Sequence, residues 1–175
     1  MSLATDDNII LIGMAGVGKS TVGVLLAKAS SRGFVDTDVA IQMGEHRPLQ
    51  EILDQLGPEA FCRLEESYIL GLSVRQHVIA TSGSVVYSDQ GMEHLRRSGR
   101  VVYLRLGLDE IARRIDNITT RGLVRRRGMS LAQLYEERLP LYEKWADITI
   151  DTQGLTQDRV ASAVLAKFEV EKGRL

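Results

Sequence analysis

Gly13-Met14-Ala15-Gly16-Val17-Gly18-Lys19-Ser20 is the stretch on which the reading of this chain turns. It fits G-x-x-x-x-G-K-[ST]. Before it stands Ile9-Ile10-Leu11-Ile12, short, unbroken and mostly β-branched, as a central parallel strand covered on both faces requires. After it, between Ser20 and Ala29, Val22, Leu25, Leu26 and Ala29 fall at helical spacing. Glycines between a strand and a helix let successive backbone N–H groups turn inward as an anion nest, and the helix N-terminus adds partial positive charge. Lys19 is placed to bridge terminal phosphates, and the Ser20 hydroxyl to take one Mg²⁺ position. The nucleotide contacts expected are Gly13, Ala15, Gly16, Val17, Gly18, Lys19, Ser20 and Thr21. A glycine turn used only for packing is the alternative, and the order strand, loop, helix argues against it. The loop implies a nucleoside triphosphate with Mg²⁺. It leaves kinase, GTPase, motor and regulatory ATPase open.

Outward from the loop, strands alternate with helices. Gly33–Asp36 reads as a second strand and Val39–Gly44 as a short helix. Pro48 opens a helix carrying Leu49, Ile52, Leu53 and Leu56 on one face, and Gly57 ends it. A longer helix is expected from Pro58 to about Arg75, then a strand over His77–Thr81. Helix Asp89–Arg97, strand Arg100–Leu106 and helix Leu108–Ile115 follow. Ser130 is the expected cap of a helix running to about Lys144. Ile148–Asp151 is the last strand, and Thr156 to about Val170 the closing helix. This alternation is the pattern of a parallel sheet between helices, an α/β fold. The stretch 117–129 is polar and Arg-rich, and long polar loops in compact domains often serve as lids. The run Arg125-Arg126-Arg127 is expected to be a solvated part of its surface.

The 175 residues are 44% hydrophobic, enough for one core and one domain. Twenty-two basic groups against 23 acidic ones give a net charge of -1, which excludes a polycationic nucleic-acid binder by bulk charge. Aromatics at 5% disfavour base stacking on a single strand. One cysteine, Cys62, excludes an internal disulfide and a zinc cluster. No run of about 18 apolar residues and no secretory signal pattern occur, so a cytoplasmic protein is expected, without nucleic-acid or membrane partners.

Phe34-Val35-Asp36-Thr37-Asp38 closes the second strand, where ligands bind in open α/β sheets. Two carboxylates one residue apart alternate in direction on an extended chain, so one can face a metal and the other an acceptor hydroxyl. The alternative is that Asp38 caps the next helix, alone or alongside that chemistry.

Together these residues resemble the shikimate kinase family. The matching series is Gly13–Ser20, Phe34-x-Asp36-Thr37-Asp38, the Ile41 helix, Gly57-x-x-x-Phe61 and Glu65. It continues with Arg121 in the lid, Arg138-x-Pro140-Leu141-Tyr142 and Ile150-Asp151-Thr152. The resemblance implies a three-layer α/β/α P-loop kinase with five parallel strands in the order 2-3-1-4-5 and a mobile lid. It implies a monomer that uses ATP to phosphorylate a small hydroxylated acid, with shikimate first and another hydroxy acid or polyol as the rival acceptor. A nucleotide-binding switch without transfer is the rival from another class; keeping both Asp36 and Asp38 argues against it. By resemblance, Asp36 acts near Mg²⁺ through water and Asp38 takes the acceptor proton. Arg121 reaches the phosphates, Arg138 grips the acceptor carboxylate, and Arg114 packs against adenine. The acceptor-binding helices span about 39–75.

Three departures fall on the acceptor side. Where the family has Phe-Arg, this chain has Phe61-Cys62, so Cys62 occupies a substrate-binding position without the charge. Arg63 is adjacent, but one helical step turns a side chain by about 100°. Gly-Gly-Gly becomes Ser82-Gly83-Ser84, keeping Gly83, whose backbone approaches the substrate in the family. Arg-Pro becomes Arg121-Gly122.

Overall fold

The computed structural model of the protein describes residues 7–115, 123–126 and 128–172. Its elements are β1 (Asn8–Ile12), α1 (Lys19–Ser30), β2 (Gly33–Asp36), α2 (Thr37–Glu45), α3 (Leu49–Leu56) and α4 (Pro58–Leu70). Then come β3 (His77–Ala80), α5 (Asp89–Ser98), β4 (Gly99–Arg105), α6 (Leu108–Ile115), α7 (Leu131–Trp145), β5 (Ile148–Asp151) and α8 (Gln157–Lys172). The strands form one sheet in the order β2-β3-β1-β4-β5, parallel at every junction. α1 packs with α8 and against β3, while α5 and α7 pack against β4. This is a three-layer α/β/α fold, with the strand order that the resemblance implies.

β1 is the axis of the sheet. Ile9, Ile10, Leu11 and Ile12 are fully buried between β3 and β4. Asn8 opens the strand and is buried too, because its amide has three partners. It donates to the Val74 carbonyl at 2.8 Å and Ser98 Oγ at 3.2 Å, and accepts from the His77 amide at 2.9 Å. Those bonds fasten the lower ends of β3 and β4 to β1, leaving the upper ends of β1, β2 and β3 to open into loops.

A second, smaller apolar cluster lies among α2, α3 and α4. It joins Ile41 of α2, Ile52 and Leu53 of α3, Phe61 of α4, and Val124. Val124 belongs to the expected lid, of which residues 123–126, 128 and 129 are described; Arg121, Gly122 and Arg127 lie outside the described residues.

Two expectations need correction. α4 ends at Leu70 rather than near Arg75: the Gly71 N–H closes it by donating to the Ser67 carbonyl at 3.1 Å, and the chain then unwinds toward β3. A short 3-10 turn at Val85–Tyr87, not anticipated, stands between β3 and α5. Among the described residues no helix is long and apolar enough to cross a membrane.

Candidate active site

The phosphate loop takes the shape its glycines permit. Gly13 has φ +144°, and a Cβ there would sit 2.6 Å from the Leu104 carbonyl oxygen. Gly18 has φ +102° and enters α1 with no side chain capping the first N–H groups, which stay available for an anion. Lys19 is buried and donates to the Gly13 carbonyl at 2.7 Å and the Met14 carbonyl at 2.9 Å. Burial lowers its ammonium to about 8, with Asp38 and Asp36 opposing the shift. Arg114 rests against the outside of the loop, 3.4 Å from the Gly16 and Val17 carbonyls, and pairs with Glu110 at 3.0 Å.

A cleft of about 580 Å³ opens from this loop toward α2 and α3. Lys19, Ser20, Asp36, Asp38, Ser82 and Arg138 line it. Ala15, Gly16, Gly18, Thr21 and Gly83 also reach it, while Gly13 and Val17 are buried beneath. The structure thus brings together cations and carboxylates from sequence positions more than a hundred residues apart.

Asp36, not Asp38, caps α2. Its Oδ1 accepts from the Asp38 amide at 3.0 Å and the Val39 amide at 3.3 Å. That fixes the turn and leaves Asp38 in the first helical turn, on the cleft wall. The cap uses one oxygen of Asp36 and leaves Oδ2 for other work. Among the described residues no group of three or more His, Cys, Asp or Glu could hold a metal alone. A cation held by Ser20 and Asp36 would therefore take most of its oxygens from nucleotide and water, the manner in which Mg²⁺ binds.

Arg138 projects from α7 and is almost fully buried. It is held by neutral groups. Its Nε donates to the Tyr87 hydroxyl at 3.2 Å, its guanidinium lies 5.1 Å from the centre of the Tyr87 ring, and its Nη2 donates to the Val124 carbonyl at 2.5 Å. Gly83 lies flat against it, for a Cβ there would meet Nη1 at 2.7 Å. The Tyr142 hydroxyl donates to the Gly83 carbonyl at 2.7 Å. The sequence reading missed Tyr87, because the 3-10 turn that aims it carries no periodic signal. Arg125 and Arg126 are exposed, as a solvated run should be, and Arg126 pairs with Glu137 at 3.4 Å.

Cys62 is not on the cleft wall. It is half-buried and packs against the smaller apolar cluster, and burial raises its thiol to about 11. The structure thus favours a small apolar role for it. Arg63 is exposed on α4 and does not turn inward to replace the missing guanidinium. Glu65, one turn on from Phe61, is buried, and its Oε2 lies 2.7 Å from Ser84 Oγ.

The described geometry agrees with known proteins. The shikimate kinase family matches residues 15–169. The shikimate kinase of Thermodesulfovibrio yellowstonii is 38% identical over 165 residues, covering 93% of this chain and 95% of that protein. Among solved structures, shikimate kinase from Acinetobacter baumannii in complex with shikimate superposes with a TM-score of 0.88 at 30% identity, covering 95% of this chain and 94% of the other. The Aquifex aeolicus shikimate kinase gives 0.81 at 28% identity, over 94% and 98%. A phosphate loop, an Asp-Thr-Asp strand end and a buried arginine meeting in one cleft, on a fold matched over nearly its whole length, place this chain in the shikimate kinase family.

Proposed function

We propose that the protein transfers the γ-phosphoryl group of ATP to the 3-hydroxyl of shikimate. The observation that carries this is the convergence of Lys19, Asp38 and Arg138 on one cleft, where a donor anion and an acceptor acid would lie side by side. Phosphoryl transfer asks a protein chiefly for alignment and for charge to meet the equatorial oxygens. In this reading the loop amides and Lys19 hold the β- and γ-phosphates. Lys19 gives up the Gly13 and Met14 carbonyls for phosphate oxygens. Asp38 accepts the hydroxyl proton as the oxygen attacks, Arg138 orients the acceptor through its carboxylate, and Arg121 adds charge over the phosphates. Ser20 directly, and Asp36 through water, would hold Mg²⁺, which supplies electrostatic neutralisation of the phosphates. Arg114 would pack near the adenine. The whole chain acts as one kinase domain, a cytoplasmic monomer, with the continuous core around β1 supporting the single domain.

The test is ADP release by the purified protein with Mg-ATP, with and without shikimate. Acceptor-dependent release is expected. ADP formed at the same slow rate in both would overturn the reading. Ser82 and Ser84 in the cleft favour a second reading, a related hydroxy acid as preferred acceptor. A panel member with a higher kcat/KM than shikimate would establish it.

A further inference from the structure

One buried polar chain has no part in the transfer just described. Ser84 Oγ lies 2.7 Å from Glu65 Oε2, and Ser82 Oγ lies 3.1 Å from Ser84 Oγ. Both serines line the cleft, on either side of the glycine that lies against Arg138. Glu65 Oε1 is buried without a hydrogen-bond partner among the described residues. An ionised carboxylate there would leave a charged oxygen unpaired in the interior, whereas a carboxylic acid leaves only a neutral carbonyl. The charged neighbours are Asp38 of α2, which favours the acid, and Arg138 of α7 and Lys19 of α1, which oppose it. Tyr142 of α7 and Cys62, on Glu65's own helix, also face the group. Burial outweighs these cations and the Ser84 hydroxyl, whose hydrogen bond also favours the ionised form, and holds the carboxyl up to about 8.

The direction of the chain follows from counting protons. Each hydroxyl has one to give. With a proton on Glu65 Oε2, Glu65 donates to Ser84 and Ser84 donates to Ser82. The Ser82 proton is then left over, at the end of the chain that opens into the cleft. We propose that Ser82 is an acceptor-specificity residue: its hydroxyl, at the open end of the Glu65–Ser84–Ser82 chain, donates to the acceptor's carboxylate beside Arg138. It is a neutral second contact in a cleft whose wall Cys62 does not reach. Ser84 and Glu65 are positioning residues, acting through it. The inference rests on the acceptor reading above.

The experiment pairs residue with substrate group. KM and kcat are measured for wild type, Ser82→Ala and Ser84→Ala, with shikimate and with the same ring triol lacking its carboxylate. Loss of a hydrogen bond to a charged group should raise KM for shikimate about tenfold in both variants. Their kcat and their KM for ATP should stay within about twofold, and the penalty should vanish on the triol. Glu65→Gln keeps a donor toward Ser84 and should keep the wild-type KM, which loss of packing alone would not predict. An unchanged shikimate KM in Ser82→Ala would overturn the proposal while leaving the kinase reading intact. So would an equal rise on both substrates. Wild type that releases no ADP with shikimate would overturn both.

Discussion

Arg138 donates to the backbone carbonyl of Val124 across 2.5 Å, which ties α7 to the segment facing it. Val124 is itself buried in the cluster formed by Ile41, Ile52 and Phe61. The guanidinium is therefore held from two directions, by this carbonyl and by the Tyr87 hydroxyl. An ammonium cannot reproduce a flat fork. Arg138→Lys should raise the KM for the acceptor by roughly 10- to 100-fold, the range for a lost charge-assisted pair. Nucleotide binding, measured by titration without acceptor, should stay within about twofold. An equal loss of both affinities would show that Arg138 shapes the whole cleft.

Asp38 is the carboxylate on the cleft wall that is not spent on the α2 cap. Asp38→Asn removes the proton acceptor and keeps the volume. We expect kcat to fall by about 10²- to 10⁴-fold, with ATP binding retained. Single-turnover kinetics would locate the loss in the transfer step. A variant with more than a tenth of wild-type kcat would exclude Asp38 as the base.

Lys19 sets a pH dependence for nucleotide binding. Burial lowers its ammonium to about 8 in the free protein. Phosphate oxygens stabilise the charged form, so the value rises in the complex. Above pH 8 the free protein has lost that proton and must regain it to bind ATP. The Kd for ATP should be flat below pH 8 and rise by up to about tenfold per pH unit above it. Fluorescent-nucleotide titrations from pH 6.5 to 9.5 check this, and a flat profile throughout would contradict it.

Glu65 sets one for stability, with the opposite sign to an ordinary carboxylate. Its value is raised from 4.5 to about 8, by burial first. Between those values the folded state holds a proton that the unfolded state has released. Its contribution to stability is complete below about pH 4.5, declines as pH rises through the window, and levels above 8. Glu65→Gln has no such proton. Its melting temperature relative to wild type should climb between pH 5 and 8, and parallel curves would refute the assignment.

Gly13→Ala tests the loop's geometry. The added Cβ meets a backbone oxygen at 2.6 Å, at a φ that L-residues rarely adopt. Such strain costs on the order of 1–3 kcal/mol. A drop of about 2–12 °C in melting temperature follows for a chain of this size, read by calorimetry.

The sheet and the loop were legible in the sequence because each is local. Four apolar residues followed by Gly13–Ser20 specify strand, nest and helix with no distant partner needed. Asp36 and Asp38 were placed rightly at a strand end, but which of them caps α2 depends on backbone angles, and Asp36 proved to be the cap. Leu72 continues the apolar spacing and so lengthens the expected helix, while Gly71 ends α4 first. The resemblance alone puts Cys62 in the acceptor site. Phe61, Glu65 and Ile69 mark the buried face of α4, and Cys62 stands one step round from it. Ser84 with Glu65 and Tyr87 with Arg138 join residues far apart in the chain, and no periodicity announces such pairs.

The strand order has a consequence for synthesis. β1 is made first, yet both of its neighbours come later: β3 begins at His77 and β4 at Gly99. At about 5–20 residues per second, the most apolar strand of the protein waits several seconds at the ribosome without either partner. Nascent chains stalled before His77 should be far more open to protease than chains stalled beyond Arg105. Until β3 emerges, Ile9–Ile12 is an unpaired hydrophobic strand on both sides, and until β4 emerges on one, so the cell's chaperones meet this protein first at the strand that ends up least visible.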